Sequence, residues 1–176
     1  MANEPIRVEI DSSDLQRAIA RAQKYLSDLT PFYEDVGAYM ERVTENRFRT
    51  ETGPDGQPWK ELAASTRAAK ANDKILTERG KMRESLSSEA DPDGVTVGFS
   101  DRKARWHQFG TKPYTIEPKN GRWLAFQGAS GMRFARQVKH PGVPARPMLG
   151  ISPANEREIL AIAGDQIERE FGSRRR

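Results

Sequence analysis

The sequence predicts an α+β fold in which an antiparallel sheet or meander packs against N-terminal and C-terminal amphipathic helices. Three observations predict it. Apolar residues recur at helical spacing near both ends, period-two alternation and glycine-marked turns fill the middle, and no alternation of strand and helix suggests a parallel sheet. A chain of 176 residues, 36% hydrophobic and 31% charged, fits one domain over residues 1–172 followed by a basic tail at 173–176. The apolar share is modest for a self-sufficient monomer, so contacts with neighbouring subunits are expected.

Ile6, Val8 and Ile10 alternate with Arg7 and Glu9, the period of a short first strand. Ser13-Asp14-Leu15-Gln16 reads as a capping box, and Leu15, Ala18, Ile19, Ala22, Leu26 and Leu29 follow at helical spacing. Thr30-Pro31 supplies a cap with proline at the first helical position of a second helix running to about Thr50. Phe32, Val36, Tyr39, Met40 and Val43 form its apolar stripe, while Arg42, Arg47 and Arg49 suit the negative end of the helix dipole. The segment Thr52 to Trp59 is a loop by its density of glycine and proline. Short helices are expected from Ser65-Thr66 and between Gly80 and Leu86.

A strand carrying Val95, Val97 and Phe99 leaves the turn Asp91-Pro92-Asp93-Gly94. Tyr114-Thr115-Ile116, Trp123 to Phe126 and Phe134 to Val138 read as hairpin strands of a meander, separated by Asn120-Gly121 and by Gly128-Ala129-Ser130-Gly131. Ser152-Pro153 caps a last helix with Ile159, Leu160, Ala163, Ile167 and Phe171 on one face, and Gly172 stops it.

Composition excludes several functions. With no cysteine, there is no disulfide framework, thiolate metal site or cysteine nucleophile, which fits folding in a reducing compartment such as the cytosol. The first residues lack the order of a signal peptide and no apolar run reaches the length of a bilayer span, so no membrane partner is expected. Three units of the formal charge of +4 sit in Arg174-Arg175-Arg176, a tail expected to be solvated, with contact to DNA or an acidic partner as the alternative.

The chemical candidates are few. Both histidines lie in the phrases Trp106-His107-Gln108-Phe109-Gly110 and His140-Pro141-Gly142-Val143-Pro144-Ala145-Arg146-Pro147-Met148-Leu149. Neither the helical His-Glu-x-x-His spacing nor a Cys/His pattern accompanies them, so each imidazole is expected to fix a loop by bonding to backbone. Asp91 with Asp93 and Glu34 with Asp35 sit in turn or helix-surface contexts rather than as catalytic pairs. No nucleophile elbow, phosphate loop or dinucleotide fingerprint is present, and neither an enzymatic role nor a cofactor is expected. Trp59, Trp106, Trp123, Phe109, Phe126 and Phe134, beside arginines such as Arg122, Arg133 and Arg136, either stack on nucleic-acid bases or fill a core or inter-subunit seam. Burial is the expectation. Trp59 is projected by its loop onto a core or neighbour, and Arg146 pairs with a carboxylate within the fold or across a seam.

The ordered phrases Arg47-Phe48, Glu51 to Lys60, Leu62 to Thr66, Lys74 to Leu86, Val97-Gly98, His107 to Gly110 and Pro144 to Gly150 resemble the virion morphogenesis family of tailed bacteriophages, including Mu-like phages. The segment Thr111 to Val143 is similar instead to a neck-protein family of other long-tailed phages. The resemblance implies a neck or tail-completion protein of the virion, without enzymatic activity, acting where a DNA-filled head meets a tail. It also implies a cyclic oligomer, expected to be a hexamer, whose partners are copies of itself and other neck, head-completion and tail proteins. A cyclic interface needs two different complementary patches on each subunit. The candidate interface residues are Trp59, His107, Gln108, Phe109, Arg146 and Met148, with Arg174, Arg175 and Arg176 facing a DNA channel. The alternative is a DNA-binding module using aromatic and arginine residues of the sheet.

Overall fold

The computed structural model describes residues 11–128 and 131–172, so the strand read at Ile6 to Ile10 and the tail Arg174-Arg175-Arg176 lie outside the described residues. The fold is α+β, with helices at both ends around small antiparallel sheets. Among the described residues no helix is long and apolar enough to cross a membrane.

Helix α1 spans Ser13–Leu26 and begins one residue off the expected box. Asp11 Oδ1 accepts the Ser13 amide at 2.9 Å, which draws Ser13 into the first turn and makes Ser12 the cap. Gln16 then reaches the Ser12 hydroxyl rather than a backbone amide. Helix α2, Thr30–Thr50, starts in the same way: Asp28 Oδ1 accepts the Thr30 amide, and Leu29 takes the cap position expected of Thr30.

The long helix α2 is the spine. Val36, Met40, Thr44 and Phe48 recur every four residues on its buried face, and the Thr44 hydroxyl is satisfied by the Met40 carbonyl at 2.8 Å. Gly37 lies where this face meets a hairpin. A Cβ there would sit 2.7 Å from Ser88 Oγ, so only glycine permits the approach.

That hairpin pairs β1, Leu86–Asp91, with β2, Gly94–Phe99, in register from Leu86 opposite Phe99 to Asp91 opposite Gly94. Strand β1 was not expected, because Leu86-Ser-Ser-Glu-Ala-Asp has small inward residues and little β-propensity. Its partner supplies the order. Asp91 Oδ1 accepts the amides of Asp93 and Gly94, so that carboxylate shapes the turn. The short helices α3, Ala64–Ala69, and α4, Lys81–Glu84, fall close to where they were predicted.

Helix α5, Lys103–Phe109, stands where a loop fixed by His107 was expected. Asp101 accepts the Lys103 amide at its start, and Gly110, with φ +72°, ends it. The remaining strands nest instead of forming a meander. β3, Tyr114–Ile116, pairs with β6, Val138–His140, and encloses a separate hairpin of β4, Leu124–Gly128, and β5, Gly131–Ala135. Seven residues including Pro118 separate Ile116 from Leu124, too long a link for a tight two-residue hairpin and lacking one amide for the ladder.

Helix α6, Pro153–Phe171, has the expected start: the Ser152 hydroxyl accepts the Asn155 amide, and Asn155 Oδ1 accepts the Ser152 amide. Its buried residues are Asn155 and Gln166. Leu160 (71% exposed) and Ile167 (52%) of the expected core face point outward. Gln166 is held by the Tyr25 hydroxyl, the Pro31 carbonyl and the Asp35 carboxylate, so a polar side chain seals the junction of α1, α2 and α6. The main core gathers Phe48, Trp59, Ile75, Met82, Ala104 and Met148, with Phe48 meeting Trp59 and Phe99 edge-on.

Candidate functional site

The two phrases that stood out in the sequence dock on each other. Residues 141–152 belong to no helix or strand, and Pro144 and Pro147 have no amide to donate, so a regular ladder is impossible there. Side chains substitute for it. Three successive carbonyls are each taken by a different part of the molecule: Pro147 by Trp59 Nε1 (2.8 Å), Met148 by Arg47 Nη1 (2.9 Å) and Leu149 by Gln108 Nε2 (2.8 Å). Gln108 Oε1 also accepts the amides of Met148 and Leu149 at 2.8 and 3.0 Å. One amide side chain thus imitates a neighbouring strand. The Arg146 amide donates to the His107 carbonyl, and Thr111 exchanges two bonds with Val143.

Arg146 reverses the direction of the clasp. Its Nε and Nη2 donate to the carbonyls of Lys60 and Glu61 at 2.6 and 2.8 Å, so its fork binds two backbone oxygens instead of the carboxylate expected from sequence. Arg47 bridges the Met148 carbonyl to Asn155 Oδ1, and Asn155 Nδ2 donates onward to the Tyr39 hydroxyl. Both arginines are only 5% exposed. Burial lowers the pKa of each below the usual arginine value, with carbonyl and amide oxygens as the hydrogen-bond partners of both.

Backbones come close beneath this clasp. At Gly142, φ +91°, an added Cβ would lie 2.3 Å from the Thr111 carbonyl oxygen, so this crossing requires glycine.

The two histidines behave differently. His140 fixes its loop as expected, accepting the Gly142 amide at Nδ1 (3.1 Å) and stacking on Tyr114 at 4.8 Å. His107 does not, because its buried Nδ1 has no hydrogen-bond partner among the described residues. Burial, then the nearby positive charge of Arg146, hold its pKa below the ordinary histidine value, while Asp101 acts weakly in the other direction. Both border an open cleft of about 1120 Å³ whose rim includes Lys60, Lys81, Lys103 and Lys139. Among the described residues, no group of three histidines, cysteines or carboxylates is placed to hold a metal.

The predicted interface set therefore divides. Trp59, Arg146 and Met148 are buried within their own chain, where they hold the 144–149 segment, and so are not available to a partner. His107 and Gln108 are half-buried at its edge. Phe109 alone of the set is freely accessible, 74% exposed at the end of α5. Arg47 and Asn155 are clasp residues that sequence reasoning missed: Arg47 was read as a dipole partner, and Asn155 has a visible signal only in its spacing from Ser152.

A second surface has the opposite character. Trp123, Met132 and Phe134 are more than half exposed along the β4–β5 hairpin, Phe126 is also exposed, and the Arg136 guanidinium lies 5.3 Å from the Trp123 ring centroid. With Trp106 and Phe109 on α5, these side chains remain outside the core of their own chain, the first of the two places, core or inter-subunit seam, expected for the aromatics. No curated protein and no solved structure matches the chain. The family model described as the phage virion morphogenesis family matches residues 10–168, and the chain belongs to that family.

Proposed function

We propose that this protein is a neck or tail-completion subunit of the virion, assembled from the host cytoplasm and acting at the head–tail junction. It joins tail to head through protein contacts around the DNA channel, as a cyclic oligomer and without making or breaking bonds. The observation that carries the reading is the aromatic hairpin. A chain that buries two arginines, an asparagine and a glutamine while leaving Trp123, Met132 and Phe134 in solvent has an interior built for rigidity and a surface suited to docking. Membership of the virion morphogenesis family supports an assembly role. Electron microscopy of particles produced without this protein tests the position. Full heads lying beside unattached tails are expected, and intact infectious virions would overturn the proposal.

Arg136 over Trp123 favours a second reading, in which the hairpin stacks on DNA bases beside arginine. Binding to random-sequence DNA with a steep salt dependence supports it. No binding at low salt eliminates it.

A further inference from the structure

Two helices carry open apolar stripes that do not cover each other within the chain. On α1, Leu15, Ile19 and Leu26 align along one side and are 62%, 49% and 68% exposed. On α6, Leu160 and Ile167 flank Gly164, with Leu160 four residues before it and Ile167 three after. Among the described residues an added Cβ at Gly164 meets nothing within 4 Å, so no contact with them requires glycine at this mid-helix position. Glycine there weakens the helix. What it provides is a flat notch between two apolar side chains, where another helix can approach closely.

The charges of the two helices are complementary. Between Ser13 and Leu26, Arg17, Arg21 and Lys24 outnumber Asp14, a net of +2, whereas Pro153–Phe171 carries a net of −3, with Glu168 and Glu170 beside the apolar stripe. We propose that the α1 stripe of one copy seats on the Leu160–Gly164–Ile167 notch of a second copy. The contact joins two different patches, the geometry that closes a ring, and it deepens the cyclic-oligomer part of the function proposed above. Within one chain α1 meets α6 through Tyr25, which bonds Gln166 and packs edge-on against Phe171. That contact leaves Leu160 open for the neighbour.

The chain has no cysteine, which makes the test direct. Purified Ile19→Cys and Gly164→Cys full-length proteins are mixed and oxidised, and a disulfide-linked heterodimer is expected. Crosslinking no greater than that of a mixture of Ile19→Cys with Arg157→Ala/Glu158→Cys, whose cysteine lies away from the notch, would overturn the proposal. So would a crosslink in an Ile19→Cys/Gly164→Cys double variant that stays within one chain, since the stripes would then meet intramolecularly. Gly164→Leu separates association from folding. It is expected to leave or raise the melting temperature while weakening self-association at least tenfold by light scattering; unchanged self-association would overturn the proposal. Crosslinking without any head–tail defect in particles lacking the protein would defeat the junction reading alone. A head–tail defect without crosslinking would defeat the helix contact alone.

Discussion

The segment from Val143 to Gly150 and the β4–β5 hairpin are both extended stretches with arginine or aromatic neighbours, yet they meet opposite fates. The first has lost regular strand bonding to its prolines; Trp59, Arg47 and Gln108 bind its carbonyls, and its own Arg146 reaches back to those of Lys60 and Glu61. The second has a complete antiparallel ladder of its own and turns its aromatics to solvent. Backbone that cannot satisfy itself recruits the interior. Backbone that can is free to present side chains to something else. The difference teaches that the motif most visible in the sequence is a framework, whereas the accessible surface is formed by residues with less distinctive spacing.

Substitutions ordered by their effect on stability sharpen the contrast. Trp59→Ala removes a core aromatic and orphans the Pro147 carbonyl, and a loss of about 3–5 kcal/mol is expected by urea denaturation. Arg146→Ala leaves the Lys60 and Glu61 carbonyls without their charged donor and is expected to cost about 2–4 kcal/mol; a cost as small as that of a surface substitution would break the framework reading. Gln108→Glu keeps an acceptor for two amides but aims a carboxylate at the Leu149 carbonyl. A loss of about 1–3 kcal/mol is expected in the same assay.

His107 contributes a pH dependence. Its native pKa is depressed, so the unfolded chain binds the extra proton first, and stability falls as pH drops through the ordinary histidine range. Above that range both states are neutral at this position and the contribution is complete. Melting temperatures from pH 7.5 to 5.5 should decline in the parent and decline less in His107→Gln. The smallest effect on stability belongs to the hairpin. Trp123→Ala combined with Phe134→Ala is expected to change stability by under about 1 kcal/mol, while the variant fails to restore head–tail joining in particles lacking the protein. If denaturation instead shows a loss as large as that of Trp59→Ala, the division between framework and docking surface collapses.

Much of the fold is legible in residue order. The periodicity of α2 and the Ser152-Pro153 start of α6 appear where expected, because local capping and burial agree there. Strand β1 is hidden because, after Leu86, only Ser88 and Ala90 carry its inward positions, and its order comes from pairing with β2. Helix α5 had local signals in Asp101 and Gly110, but it is only seven residues long, and Trp106 and Phe109 read as stacking or seam aromatics and not as part of a helical stripe. On α6, helical spacing identified apolar residues without revealing that the inward side would be marked by Asn155 and Gln166. Of the site, sequence found both halves of the clasp. It could not show that they bind one another, since Arg47 and Gln108 act on carbonyls about 100 and 41 residues away, and backbone acceptors leave no trace in side-chain identity.

The pairing of β3 with β6 brings Ile116 and Val138 together, so everything between them leaves and re-enters the molecule at a single doorway. Such an insert can lengthen, shorten or change composition while the closing pair and the clasp below it stay intact. Under the docking role proposed for the hairpin, specificity for a partner is uncoupled from the framework that carries it. Exchanging residues 117–137 between members of the family should move partner choice with the exchanged piece, turning one stable subunit into an adaptor for a different particle.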